Sequence, residues 1–182
     1  MRQQVLRLGI TLLVVGLIAA IGLGLTYTLT QKKIAEEDKL SEAKAAVEAL
    51  PGVKSAAELK LDSAYLARAK KAVPEVQKVY TSDKGTIFLI QMKGYGGPLV
   101  LAIGIDRDGK VAGIASVSNK ETIGLGSKAL EKTFLEQYKG KTPRDPVEVG
   151  KDINAVTSAT ITSKAVTGEV RAALKAYSKS QQ

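Results

Sequence analysis

The hydrophobic and polar positions divide the chain into an apolar start and a patterned remainder. Leu8 to Leu29 runs for 22 residues without a charge. As a helix this stretch spans about 33 Å, enough to cross the hydrocarbon core of a bilayer. The apolar part of a cleaved signal peptide is shorter, about 7–15 residues. Here apolar sequence continues past Ala19 and Ala20 to Leu29, so an uncleaved anchor is expected.

Beyond the anchor the pattern changes period. Leu40, Ala43, Val47 and Leu50 fall on one stripe and predict a helix over 33–50, ended by Pro51-Gly52. A second helix is expected over 61–72. The runs T-I-F-L-I-Q-M-K (86–93) and L-V-L-A-I-G-I (99–105) read as strands joined by G-Y-G-G-P. D-R-D-G (106–109) predicts a hairpin turn into a third strand over 111–117. As a calcium site D-R-D-G lacks the rest of a binding loop and its terminal Glu. Leu130, Phe134, Leu135 and Tyr138 predict a helix over 128–138, followed by a Pro-containing connection over 142–150. Val166, Val170, Leu174 and Tyr177 mark a last helix. The expected class is α+β: an antiparallel sheet flanked by helices, preceded by one N-terminal transmembrane helix. The expected division is an anchor over 1–30, a membrane-proximal helical segment over 31–75 and a domain over 76–182.

Charge adds orientation and partners. The chain has 27 Lys and Arg against 18 Asp and Glu, a net +9. Arg2 and Arg7 precede the anchor; Lys32 and Lys33 follow it, trailed by Glu36, Glu37 and Asp38. A short leading tail with two Arg favours a cytoplasmic N-terminus, and long following domains translocate largely regardless of charge. The expectation is a single-pass protein of the cell (inner) membrane with its domain on the extracytoplasmic side. A basic domain tethered there suits anionic lipid or an acidic protein partner. Aromatics are only 4%, and no basic run is interleaved with them, which argues against single-stranded nucleic-acid binding.

The chain has no Cys and no His. Cysteine-ligated iron–sulfur and zinc sites, disulfides, a Cys nucleophile and a histidine base are all excluded. No metal site and no catalytic residue are expected. Any redox activity must come from a bound organic cofactor.

The densest chemistry is N-A-V-T-S-A-T-I-T-S, 154–163. Thr157, Thr160, Thr162 and Ser163 crowd in just before the last predicted helix. A helix N-terminus offers unpaired N–H groups and partial positive charge, and hydroxyls add donors, so the place suits a phosphate. Ser and Thr are also the usual N-cap residues, so ordinary capping explains the same pattern.

This stretch resembles the flavin-attachment motif D-x-x-[ST]-G-A-T of FMN-binding domains, with Asn154 in place of Asp and Ser158 in place of Gly. E-T-I-G-L-G (121–126) resembles the family's E-T-P-G-L-G loop, with Ile123 for Pro, and G-Y-G-G-P (94–98) its G-Y-x-G turn. The three occur in the family's order. With an N-terminal anchor and this length, the chain most resembles the G-subunit family of Rnf electron-transport complexes, near relatives of the C subunits of sodium-translocating NADH:quinone reductases.

The resemblance implies covalent FMN, held by a phosphoester to Thr160. It implies that Thr157, Ser158, Ala159 and Thr162 surround the phosphate, that Leu125 and Ile123 lie on the ring, and that Glu121 and Thr122 reach the ring edge. Gly124 and Gly126 would let the backbone approach, Tyr95 would stack or cap, and Lys120, Lys128 or Lys164 would stabilise an anionic flavin radical. Gly124 and Gly126 also suit an ordinary turn, Tyr95 a half-buried surface position, and Lys120, Lys128 and Lys164 simple solvation. The implied partners are other membrane subunits of a redox complex, a flavin-attaching transferase and membrane lipid. The implied function is electron relay in a complex that couples electron transfer to ion translocation, with no independent catalysis by the isolated chain. Two other readings stay open: a membrane-anchored non-redox binding or regulatory module, and a stand-alone extracytoplasmic flavin reductase.

Overall fold

The computed structural model describes residues 2–180. Met1, Gln181 and Gln182, at the ends of the expected anchor and domain, lie outside the described residues. The chain forms two compact units that divide between Leu40 and Ser41.

The first unit is the leading part of α1 (Arg2–Ala49). No turn separates the uncharged run from the helix expected over 33–50. Leu12, Leu13 and Leu23 are exposed along it. Among the described residues α1 is the one helix long and apolar enough to cross a membrane. It stops before Leu50-Pro51-Gly52, where Gly52 takes φ +104°, a conformation glycine adopts without cost.

The second unit is built on five antiparallel strands in sequence order: β1 (Lys60–Leu61), β2 (Val76–Ser82), β3 (Gly85–Lys93), β4 (Pro98–Asp106) and β5 (Val111–Ser118). The three predicted strands are β3, β4 and β5. The D-R-D-G hairpin forms as expected: Gly109 takes φ +78°, and the Lys110 N–H donates to Asp106 Oδ1 at 2.9 Å. β1 and β2 were not predicted.

Both faces of the sheet are covered. On one, Phe88, Ile90, Leu99, Leu101, Ile103 and Ile105 meet α2 (Ser63–Ala72) and α4 (Thr160–Ser180). On the other, Ile87, Leu89, Ala102 and Ala115 pack with Ala45, Ala46, Ala49 and Leu50. That second contact is close because its residues are small: a Cβ on Gly104 would lie 2.1 Å from the Ala49 carbonyl oxygen. Burial on two faces explains why β3 and β4 read as nearly continuous apolar runs rather than alternating ones. Glu42 adds a polar tie to this side, accepting from Lys78 Nζ at 2.7 Å and from the Tyr80 hydroxyl.

The single helix expected over 128–138 is corrected. The segment is a 3₁₀ turn over Gly126–Leu130, a short α3 (Lys132–Leu135) and another 3₁₀ turn over Glu136–Tyr138. Glu131 is extended (φ −73°, ψ 150°) and breaks the helix. Phe134 and Tyr138 are buried as the periodicity required, but from linked turns. The connection that follows is pinned by Asp152, which accepts from Lys141 Nζ at 2.8 Å and from the Val147 and Glu148 amides. The Lys141 ammonium holds the Asp152 carboxyl below the usual carboxylate range.

Candidate functional site

Thr160 is the first residue of α4. The first backbone bond of the helix runs from the Ser163 N–H to the Ala159 carbonyl, at 2.8 Å. That makes Ala159 the N-cap, and Ala carries no capping oxygen. The hydroxyls therefore do something other than cap. Ser163 Oγ accepts from the Val156 N–H at 3.1 Å and holds the preceding loop. Thr162 donates to Glu121 Oε2 at 2.8 Å. The Thr160 hydroxyl is exposed and bonds to no other described residue, and the amides of Thr160, Ile161 and Thr162 have no acceptor among the described residues. Free amides at the start of a 21-residue helix favour an anion.

The approach to that turn is shaped by Ser158, which takes φ +69°. A left-handed backbone suits glycine, and a serine there carries strain. The glycine of the resembled motif fits this geometry, and Ser158 occupies it at a cost.

Glu121 joins the three motifs. Its carboxylate is buried, 8% exposed. Oε1 accepts from the Gly96 N–H at 3.2 Å, and Oε2 accepts from Thr162. The Glu121 N–H is fixed by Asn119 Oδ1 at 3.2 Å. Three glycines make room. A Cβ on Gly94 would lie 2.1 Å from Oε1, one on Gly126 1.9 Å from Oε2, and one on Gly96 2.0 Å from the Lys120 carbonyl oxygen. The loop after Glu121 folds on itself: the Thr122 carbonyl accepts from the Leu125 and Ser127 amides, and the Gly124 N–H donates to Ser127 Oγ at 2.9 Å. Gly124 takes φ +80° with open space around it, so its role is the turn.

A cleft of 360 Å³ lies where these pieces meet, lined by Tyr95, Leu125, Gly126 and 158–162. Seven of the predicted residues line it: Tyr95, Leu125, Gly126, Ser158, Ala159, Thr160 and Thr162. Glu121, expected at a ring edge, is turned into the interior. Thr162, expected at a phosphate, has its hydroxyl committed to Glu121 and is fully buried. Thr122, Gly124, Thr157 and Lys164 lie outside the lining and are exposed. Ile161 lines the cleft and was missed, because between two threonines it reads as a core position; it is 56% exposed.

The rest of α4 is held by buried polar contacts. The Tyr138 hydroxyl bonds to Thr167 at 2.8 Å, and Thr167 donates to the Ser163 carbonyl at 2.7 Å. Burial pushes the Tyr138 phenol up to about 12. Glu169 is fully buried against the sheet; its Oε2 accepts from the Leu101 N–H at 3.1 Å, and Oε1 has no hydrogen-bond partner among the described residues. Burial pushes its carboxyl up to about 9. Nothing in the sequence patterning marked Glu169, since Glu is ordinary on a helix surface.

These residues fit FMN. The cleft falls in the range of small-molecule sites, about 300–1,000 Å³. Free amides and a free hydroxyl suit a phosphate, and exposed Tyr95 and Leu125 offer apolar surface to a planar ring.

Comparison with known proteins agrees. Residues 94–175 match the FMN-binding domain family. The G subunit of the Na(+)-translocating ferredoxin:NAD(+) oxidoreductase complex of Acetobacterium woodii is 30% identical, over 96% of this chain and 92% of that one. The G subunit of the proton-translocating ferredoxin:NAD(+) oxidoreductase complex of Clostridium ljungdahlii is 42% identical over 107 residues, 53% of this chain and only 57% of that one. The C subunit of Na(+)-translocating NADH-quinone reductase from Parabacteroides distasonis shares the fold, with a TM-score of 0.53 at 20% identity, over 82% of this chain and 94% of that one. The chain is thereby a member of the family of G subunits of ion-translocating oxidoreductase complexes, and it carries an FMN-binding domain.

Proposed function

We propose that this chain is the flavoprotein electron carrier of an ion-translocating oxidoreductase complex, with FMN esterified to Thr160. The observation that carries the reading is the state of Thr160: an exposed hydroxyl without a partner among the described residues, at the start of α4, in the wall of a cleft completed by Tyr95 and Leu125. Two neighbouring threonines are poorer acceptors. Thr162 is fully buried and bonded, and Thr157 lies outside the cleft lining.

Bound there, FMN supplies reversible one- and two-electron transfer, which no side chain of this chain offers. The residues have separable tasks. The amides of Thr160, Ile161 and Thr162 offset the phosphate charge. Tyr95 and Leu125 bear on the ring. The exposed ammonium groups of Lys120, Lys128 and Lys164 favour a reduced, anionic state. A covalent tether suits a domain outside the cytoplasm, where lost FMN is not replaced. In this reading α1 crosses the cell membrane once with its N-terminus in the cytoplasm. The domain meets the complex's other membrane proteins, and a transferase attaches the flavin.

The test is the chain produced with its flavin-attaching enzyme and run on a denaturing gel. The unmodified chain should fluoresce as a flavin and Thr160→Ala should not. Equal fluorescence from both would refute the assignment.

A further inference from the structure

Glu121 stands out because it joins three sequence-distant segments without lining the cleft they form. One oxygen holds Gly96 in the turn that carries Tyr95. The other holds Thr162 in the first turn of α4. Its own backbone opens the loop that carries Leu125. The fit is tight on three sides, since a Cβ at Gly94 or Gly126 would collide with the carboxylate and one at Gly96 with the neighbouring Lys120 carbonyl. Three open glycines around one buried carboxylate are otherwise costly, because each loses chain entropy on folding.

Each segment has bonds of its own, the Gly94 N–H to the Gly97 carbonyl at 2.8 Å in the turn and the Leu125 and Ser127 amides to the Thr122 carbonyl in the loop, but these bonds join each segment only to itself. Tyr95 is 67% exposed, Ile123 93% and Leu125 48%. Neither the turn nor the loop lies in the sheet or buries an apolar side chain of its own. A segment with few buried contacts opens easily unless a specific polar bond closes it. Both Glu121 oxygens accept, and a buried acceptor left without its donor is costly.

We propose that Glu121 is the positioning residue of the flavin site, clamping the turn 94–97 and the loop 122–126 onto the first turn of α4 through Gly96 and Thr162. It acts through these elements and does not touch the cofactor. This inference rests on the FMN reading of Thr160. It assigns the loop's acidic residue to shaping the cleft rather than to the ring edge. Pre-organised walls matter because a ring tethered only at its phosphate would otherwise sample many orientations.

The experiment has two arms, both on the full chain in detergent, with Glu121→Ala, Thr162→Val and Thr162→Ser. Valine keeps the shape of Thr162 and removes its donor, so it serves where Glu121→Ala does not fold. In the flavin-free chain, amide hydrogen exchange is read at Gly96 and over 122–127. Glu121→Ala and Thr162→Val should lose about tenfold or more of the protection there, with β3 and β4 unchanged, and Thr162→Ser should retain it. Unchanged protection at Gly96, or a loss spread equally through β3 and β4, overturns the clamp. In the second arm the same variants are made with the flavin-attaching enzyme. Visible circular dichroism and flavin fluorescence anisotropy are compared at equal flavin content. Both signals should fall in the Ala and Val variants and be restored in Thr162→Ser. Signals equal to the unmodified chain in all variants would overturn the positioning role. If the unmodified chain carries no flavin on Thr160, the functional reading fails, and the exchange arm still decides whether Glu121 clamps these segments.

Discussion

Replacing Glu169 by Gln should change how the stability of the domain depends on pH. Glu169 is fully buried between α4 and the sheet; it accepts from the Leu101 N–H, and its other oxygen meets no hydrogen-bond donor among the described residues. Burial moves its carboxyl from 4.5 to about 9. Between those values the folded chain holds the proton and the unfolded chain has lost it. The unfolded state then binds fewer protons, so stability falls as pH rises. The slope is about 1.4 kcal/mol per pH unit, and about 3 kcal/mol has been lost by pH 7. Below about 4.5 the full contribution is present; by about 9 it is gone. Glutamine is neutral throughout and keeps an acceptor for Leu101, but its NH₂ needs a partner, a fixed cost of about 1–3 kcal/mol. The difference between variant and parent should therefore move in favour of the variant by about 4 kcal/mol between pH 5 and pH 8. The assay is urea unfolding of the flavin-free full chain in detergent, followed by far-ultraviolet circular dichroism at several pH values. Subtracting the two chains cancels the other titrating groups. Parallel pH profiles would refute the reasoning.

Other perturbations follow from particular contacts. Ser158→Gly should raise stability by about 0.5–1 kcal/mol, because it relieves a left-handed serine; a lower melting temperature would contradict this. Gly104→Ala should destabilise by about 1–3 kcal/mol, since the added Cβ meets the Ala49 carbonyl oxygen at 2.1 Å; an unchanged urea midpoint would show that this contact yields. Leu125→Asp should keep the flavin on Thr160 while lowering its midpoint potential, because a carboxylate disfavours an anionic reduced ring. Identical redox titrations would place the ring away from Leu125.

Much of the fold was legible because β3, β4 and β5 are apolar enough to declare themselves and are separated by glycine-bearing turns. β2 escaped because Gln77 and Lys78 interrupt its apolar residues; its buried positions, Val76 and Val79, are two among seven. The broken segment over 126–138 shows the limit of periodicity. Spacing reports which side chains go inward, and Phe134 and Tyr138 do, but it does not report that Glu131 is extended. At the site, the hydroxyl cluster and the following helix were visible because they are contiguous. Glu121 was visible as a motif letter, but its work was not. Its partners Gly96 and Thr162 lie 25 and 41 residues away, and nothing local joins them. The glycines separate for the same reason. Gly124 serves the turn that sequence suggests, whereas Gly94 and Gly126 serve a contact that only the folded chain creates.

The central claim is that FMN is bonded to Thr160, and mass spectrometry of the full chain made with its flavin-attaching enzyme tests it most directly. The intact chain should gain one FMN less one water. Fragmentation of the peptide spanning 154–164 should place that mass on Thr160, and Thr160→Ala should carry none. An adduct on Thr157 or Thr162, or flavin that leaves on denaturation, would contradict the account.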